Sequence, residues 1–155
     1  LFNHESFRRG DQFVTKKVVR YIAKIHRDRL DGVDVDSPAY PKLKLGNLSA
    51  MRDWGWAPDY VRGMMMMLDK QDPDDYVLAT GGTRSIRNLL DVAFNHVGIT
   101  DWTKIVEHNT PEDLRPNDVT RLCGNAGKAR YELGWEPTIG FEQMIREMVD
   151  AEKTL

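Results

Sequence analysis

Three separated clusters in the sequence set arginine beside amide or carboxylate groups. The first is Asn3, His4, Arg8 and Arg9 in the opening LFNHESFRRG, with Lys17 on the polar side of the helical stretch that follows. The second is GNLSAMRDWG, where Asn47 and Arg52 flank a turn of small residues and Asp53 sits beside Arg52. The third is EDLRPNDV, where Pro116 holds Arg115 and Asp118 follows. A guanidinium donates in a planar fork that matches phosphate, while Asn and Asp supply the amide and carboxylate contacts that a base or a ribose hydroxyl takes. Together the clusters suit a diphosphate nucleotide. Taken singly, each is more often a solvated surface or an interdomain salt bridge, and the residues alone leave that choice open.

Other chemistry is weakly signalled. Gly81 and Gly82 lack the third glycine and the spacing of a G-x-G-x-x-G phosphate loop. His26, His96 and His108 have no partner at ligand spacing, so no metal site is expected. Cys123 has neither a nearby His nor a C-x-x-C partner and reads as a buried or inert thiol. Met64, Met65, Met66 and Met67 are consecutive, and successive helical positions point about 100° apart, so they are expected in the core and on a partly covered neighbouring face.

The elements that must position these residues alternate between helical and extended patterns. Phe13, Val14, Val18, Ile22 and Ile25 predict an amphipathic helix over 11–29, with Lys16, Lys17, Lys24 and Arg27 near its polar edge. Residues 31–41 read as an exposed loop, and PKLKLGN as a short half-buried strand. WAPDYVRGMMMMLDK predicts a helix opened by Pro58, with Tyr60 or Val61, Met64, Met65 and Leu68 along its apolar face. DDYVLAT reads as a strand closed by Gly81 and Gly82. A helix follows with Thr83 as cap candidate, a stripe of Ile86, Leu89, Leu90 and Phe94, and Gly98 at its end. KIVEH is a further short strand, GNAGKARYELGW a helix ending near Gly134, and FEQMIREMVDAE a last helix packing Phe141, Met144, Ile145 and Met148. The chain is thus mixed α and β with helices dominating. Its 155 residues suit one core rather than two. Twenty-two Lys and Arg against 24 Asp and Glu give a formal charge of -2, which excludes a global basic field for nucleic acid or an anionic membrane. No apolar run reaches the roughly 20 residues of a membrane span, residues 1–20 lack a signal-peptide pattern, and the single cysteine forms no internal disulfide, so the expected compartment is the cytoplasm.

The strings LFNHES.RRG..FVT.K, LGNL.A.RDWG.A.DYV..M, Y.LATG...S.R and RP followed by an acidic residue and Val, in this order, resemble the C-terminal half of GDP-mannose 4,6-dehydratase, an extended short-chain dehydrogenase/reductase. The resemblance spans nearly the whole chain. It implies an α/β, helix-rich substrate-binding lobe over 1–155, with the last Rossmann strand and an Arg-Arg loop at 1–10 and the cofactor-binding Rossmann half absent. It further implies that His4 and Arg9 approach the NADP cofactor, that the Arg8 and Arg9 loop meets a neighbouring subunit of a homo-oligomer, and that Asn3, Val14, Lys17, Asn47, Arg52, Arg115 and Asp118 surround a GDP-sugar. The cationic clusters read from the residues coincide with these nucleotide-sugar positions.

The same resemblance marks what to expect missing. The family's glycine-rich cofactor loop and its Thr or Ser, Glu and Tyr-x-x-x-Lys set precede the first residue of this chain. The family reaction moves a hydride from sugar C4 to NADP and back to C6, with a Tyr base, a Glu that removes the C5 proton, and loss of water from C6. A chain without those groups is expected to be inactive by itself. Phe7 replaces the usual Pro before the arginine pair, Asn125 stands where Asp is common, the loop over 27–42 is longer than typical, and Asp118 for Glu shortens one contact by a methylene. The alternatives are a stand-alone nucleotide-sugar-binding or assembly module without catalysis, and a piece of a related epimerase or reductase.

Overall fold

The computed structural model describes residues 1–109 and 119–154. The elements run β1 (Asn3–Glu5), α1 (Val14–Leu30), β2 (Leu43–Leu45), β3 (Met51–Arg52), β4 (Trp54–Trp56), α2 (Ala57–Leu68), β5 (Arg84–Ser85), α3 (Ile86–His96), β6 (Val106–His108), α4 (Gly127–Leu133) and α5 (Phe141–Lys153). The strands form three pairs: β1 with β4 in parallel, β2 with β6 in parallel, and β3 with β5 antiparallel.

Helices α1, α3 and α5 pack on one another because each carries an apolar stripe at helical spacing. Val18, Val19, Ile22 and Ile25 of α1 meet Leu89, Leu90 and Phe94 of α3 and Met144, Ile145 and Met148 of α5 in the main core, which also takes Leu43 and Leu45 of β2 and Val106 of β6. Trp54 stacks on Phe141 with ring centroids 5.7 Å apart, and this contact ties β4 to the helical layer. A second, smaller cluster of Tyr60, Leu78, Ala126, Ala129 and Trp135 lies between α2 and α4.

Local chemistry sets most boundaries. Pro sits in the first turn of α2, where its missing N–H costs nothing. α3 is capped by Ser85 rather than by Thr83. The Ser85 hydroxyl accepts from the Asn88 N–H at 3.1 Å while Asn88 Oδ1 accepts from the Ser85 N–H at 3.0 Å, a reciprocal pair that Thr83 is too far upstream to make. Gly134 ends α4 at φ +65°, a left-handed conformation that favours glycine.

Four further expectations are corrected. The 74–80 run is no strand: Leu78 accepts a backbone bond from Phe2 at 3.0 Å and is buried with Ala79, but neither joins a ladder. The buried face of α2 is Asp59, Tyr60 and Gly63, while Val61, Met64, Met65 and Leu68 are exposed, so only Met66 and Met67 pack against a core. Lys16 is not on the polar edge of α1; it is buried, with its ammonium against Glu152 of α5 and the Phe7 carbonyl. Cys123 is exposed rather than buried. No described helix is long and apolar enough to cross a membrane.

Candidate functional site

β1 delivers the first cluster. Register pairs Asn3 with Trp54, His4 with Gly55 and Glu5 with Trp56. The His4 Nδ1 lies 2.8 Å from the Phe2 carbonyl oxygen, which can only accept, so Nδ1 carries the proton. The imidazole leans on the Tyr60 ring with centroids 5.4 Å apart. Gly55 is required beneath it, because a Cβ there would stand 2.5 Å from the Tyr60 ring.

Arg9 returns onto this strand. Its Nη1 donates to the His4 carbonyl at 3.3 Å, and its guanidinium lies 3.5 Å over the Phe13 ring centroid. Its Nε stands 3.2 Å from Glu5 Oε2, near enough for attraction but off the line of the N–H, which makes no hydrogen bond. Glu5 is buried, and burial raises its pKa above the ordinary carboxylate range although the Thr15 hydroxyl, donating at 2.5 Å, and the Arg9 and His4 charges pull it down. A carboxyl whose pKa is raised by folding binds its proton more tightly when folded. Its contribution to stability is therefore full below the unfolded pKa and declines as pH rises toward the folded one. Glu5→Gln removes that titration, so urea melts at about pH 4 and about pH 7 should show the wild type losing stability relative to the variant as pH rises. A difference independent of pH would contradict the burial argument.

The second cluster is held between two loops. Arg52 Nη1 donates to the Met51 carbonyl at 2.9 Å and to the Val119 carbonyl at 2.6 Å. Met51 receives a backbone bond from Leu122 at 3.1 Å and donates one to Thr120 at 2.8 Å. Asn47 turns its Oδ1 onto the Ser49 N–H at 2.9 Å, and its neighbour Gly46 accepts from Asn109 at 3.2 Å. Asn109 and Val119, the residues on either side of 110–118, are thus both bonded at the second cluster. Arg115 and Asp118 themselves lie outside the described residues.

The remaining expected residues separate into two groups. Val14 opens α1 half-buried against the main core, and Lys17 is exposed in the same first turn. Arg52 stands two residues before Trp54, the partner of Asn3, whereas Arg9 is held at His4 and Glu5. The two arginines thus sit at different ends of the β1 and β4 pair. Asp53 does not pair with Arg52 but turns inward, 1% exposed, onto backbone N–H groups. Nothing in the sequence distinguishes such a carboxylate from a surface ion-pair partner.

Two features escaped the sequence reading. A cavity of about 570 Å³ lies beside β5, lined by Thr80, Gly82, Arg84, Arg130, Phe141 and Glu142 among others, and none of the expected ligand residues lines it. The chain also spells Tyr-x-x-x-Lys once, at Tyr40 and Lys44. The spelling is chemically empty here. On a helix those positions share a face, but Lys44 lies exposed in β2 while the buried Tyr40 donates its hydroxyl to Asp28 at 2.5 Å. Burial and the Asp28 carboxylate raise the Tyr40 pKa, the opposite of what a phenolate base needs.

Known proteins resemble this arrangement throughout. A family model described as GDP-mannose 4,6 dehydratase matches residues 1–148. GDP-mannose 4,6 dehydratase 1 of Arabidopsis thaliana is 44% identical over all of this chain and 40% of its own length; the Homo sapiens GDP-mannose 4,6 dehydratase is 39% identical over all of the chain and 43% of its own. The chain therefore spans less than half the length of these relatives. Among solved structures, RMD from Pseudomonas aeruginosa complexed with NADPH superposes with a TM-score of 0.80 over 98% of this chain and 46% of that one, at 20% identity. A Bacillus anthracis dTDP-glucose 4,6-dehydratase in complex with NAD gives 0.74 over 99% and 43%, at 21% identity. The fold is accordingly that of part of an extended short-chain dehydrogenase/reductase.

Proposed function

The chain belongs to the GDP-mannose 4,6-dehydratase family, and from that premise we propose that it is the nucleotide-sugar-binding part of an NADP-dependent enzyme that converts GDP-mannose to GDP-4-keto-6-deoxymannose. What supports this reading is that Asn109 bonds Gly46 and Val119 bonds the Arg52 guanidinium, so the residues on either side of 110–118 both meet the second cluster. Arg52 and Arg115 hold the diphosphate; Lys17 and Asn47 hold the nucleotide end; Asn3, Val14 and Asp118 complete the surround.

Bound NADP would supply the hydride acceptor and donor. The chain's own fit to it is the cation of Arg9, fixed over Phe13 at the C-terminal end of a parallel strand, with His4 beside it. In the family's homo-oligomer, Arg8 and Arg9 face a neighbouring subunit. Positioning is all the chain contributes, since Tyr40 and Lys44 form no base pair. Incubation of the purified polypeptide with GDP-mannose and NADP should yield no 4-keto product by mass spectrometry, and product formed without another chain would overturn this assignment.

The apolar face of α1 is covered by α3 and α5 and is not exposed. The exposed apolar side chains include Leu1, Phe7 and Phe13 near the N-terminus and the α2 stripe of Val61, Met64, Met65 and Leu68. Unpartnered apolar stripes drive self-association. Light scattering should show mass rising with concentration, and a constant monomer mass would count against it.

A further inference from the structure

We infer that Asp53 is a positioning residue for Arg52, clamping the two rails between which β3 runs; its bearing on ligand rests on the nucleotide-sugar reading above. The carboxylate is 1% exposed and, among the described residues, pairs with no cation. Instead Oδ1 accepts from the Thr80 N–H at 2.9 Å and the Thr80 hydroxyl at 2.6 Å, while Oδ2 accepts from the Gly81 N–H at 3.0 Å and the Gly124 N–H at 3.1 Å. A buried carboxylate without a counter-ion is tolerated only when such donors replace its hydration.

Those donors are placed on both sides of β3. Thr80 and Gly81 lead within a few residues to β5, whose Arg84 registers opposite Arg52 and whose Ser85 registers opposite Met51. Gly124 follows the 120–122 stretch, which bonds Met51 in both directions and includes the bridge of Met51 with Arg121. Only glycine fits at 124, because a Cβ there would stand 2.2 Å from the Ala79 Cβ. One side chain next to Arg52 thus ties together the two stretches that flank β3, and the guanidinium is aimed by a backbone held from both sides. Only an acceptor at both oxygens does this. Asn in the same place would turn an NH₂ group toward one set of N–H donors.

The test reads Arg52 itself. In the wild type the Arg52 Nε–Hε cross-peak should be resolved from the exposed arginines, and in Asp53→Asn it should collapse toward them while far-UV circular dichroism stays native. GDP affinity should fall about tenfold in that variant, since the diphosphate contact is misaimed rather than removed. If Asp53→Asn fails to fold, Thr80→Val, which keeps the shape and deletes the 2.6 Å hydroxyl bond, should give the same displacement in milder form. An unmoved Arg52 cross-peak in a folded variant would overturn the inference. Failure of wild-type GDP binding would overturn the nucleotide reading instead, and the cross-peak alone would then decide the role of Asp53.

Discussion

GDP titrated into the Arg52→Ala variant should produce no saturating shift of amide resonances, and Arg115→Ala should behave alike, whereas Arg9→Ala should titrate as the wild type does. The wild-type chain supplies part of the contacts of the proposed site and bears the full immobilisation cost of the ligand, so a millimolar dissociation constant, about -4 kcal/mol, is the expected scale. A charge-assisted contact contributes about 1.5 to 3 kcal/mol, enough to carry either variant beyond measurable binding. Arg52 has a second lever. Its Nη1 also bonds the Val119 carbonyl, so truncation frees that carbonyl along with the proposed phosphate donor. Arg52→Lys should recover less than the charge alone suggests, because an ammonium cannot donate in the same planar fork. Arg9 is committed elsewhere, to His4, Glu5 and Phe13. Equal losses in Arg9→Ala and Arg52→Ala would sink the division of labour between the two arginines.

The parts of this fold that the sequence makes legible are those whose partners lie at short helical spacing. The stripes of α1, α3 and α5 read correctly because each is broad, regular and buried on one side only. The α2 pattern failed for a physical reason. Four methionines and Val61 outweigh Asp59 and Gly63 on any hydropathy reading, yet Gly63 is buried because Leu78 and Trp135 approach its bare Cα, and Asp59 is buried because Thr138 and Arg62 satisfy its carboxylate. Such long-range hydrogen bonding has no period. The 74–80 run has strand composition but no ladder, since β-propensity describes fitness for a pleated surface and not the presence of a neighbour. The site divides in the same way. Arg52 and Asn47 are marked by residue type, but the inward turn of Asp53 and the commitment of Arg9 to Glu5 depend on segments far away in the chain or on burial, neither of which a local string encodes.

Trp135→Ala should cost about 3 to 5 kcal/mol of unfolding free energy, the largest loss expected of any single substitution in the smaller core. The side chain is fully buried, packs edge-to-face with the Tyr60 ring at a centroid separation of 5.7 Å, and donates from Nε1 to the Asp59 carbonyl at 2.7 Å. Removing it opens a large hole, leaves that carbonyl without its indole donor, and withdraws the surface against which Gly63 is packed. Collapse into the hole is resisted, because α4 is held by Gly134 and the Trp135 N–H bonds the Ala129 carbonyl at 3.3 Å. Two controls isolate packing from chemistry. Tyr131→Ala, at a residue 92% exposed, should stay within about 0.5 kcal/mol of wild type. Tyr60→Phe should cost little or nothing, because the buried Tyr60 hydroxyl has no hydrogen-bond partner among the described residues and its removal relieves an unmet desolvation cost. Urea melts of the three variants give the comparison directly. A Trp135→Ala loss below about 1 kcal/mol would mean that the cluster under β1 and β4 contributes little to stability, and with it that the strand pair bearing His4 is supported from the main helical core alone.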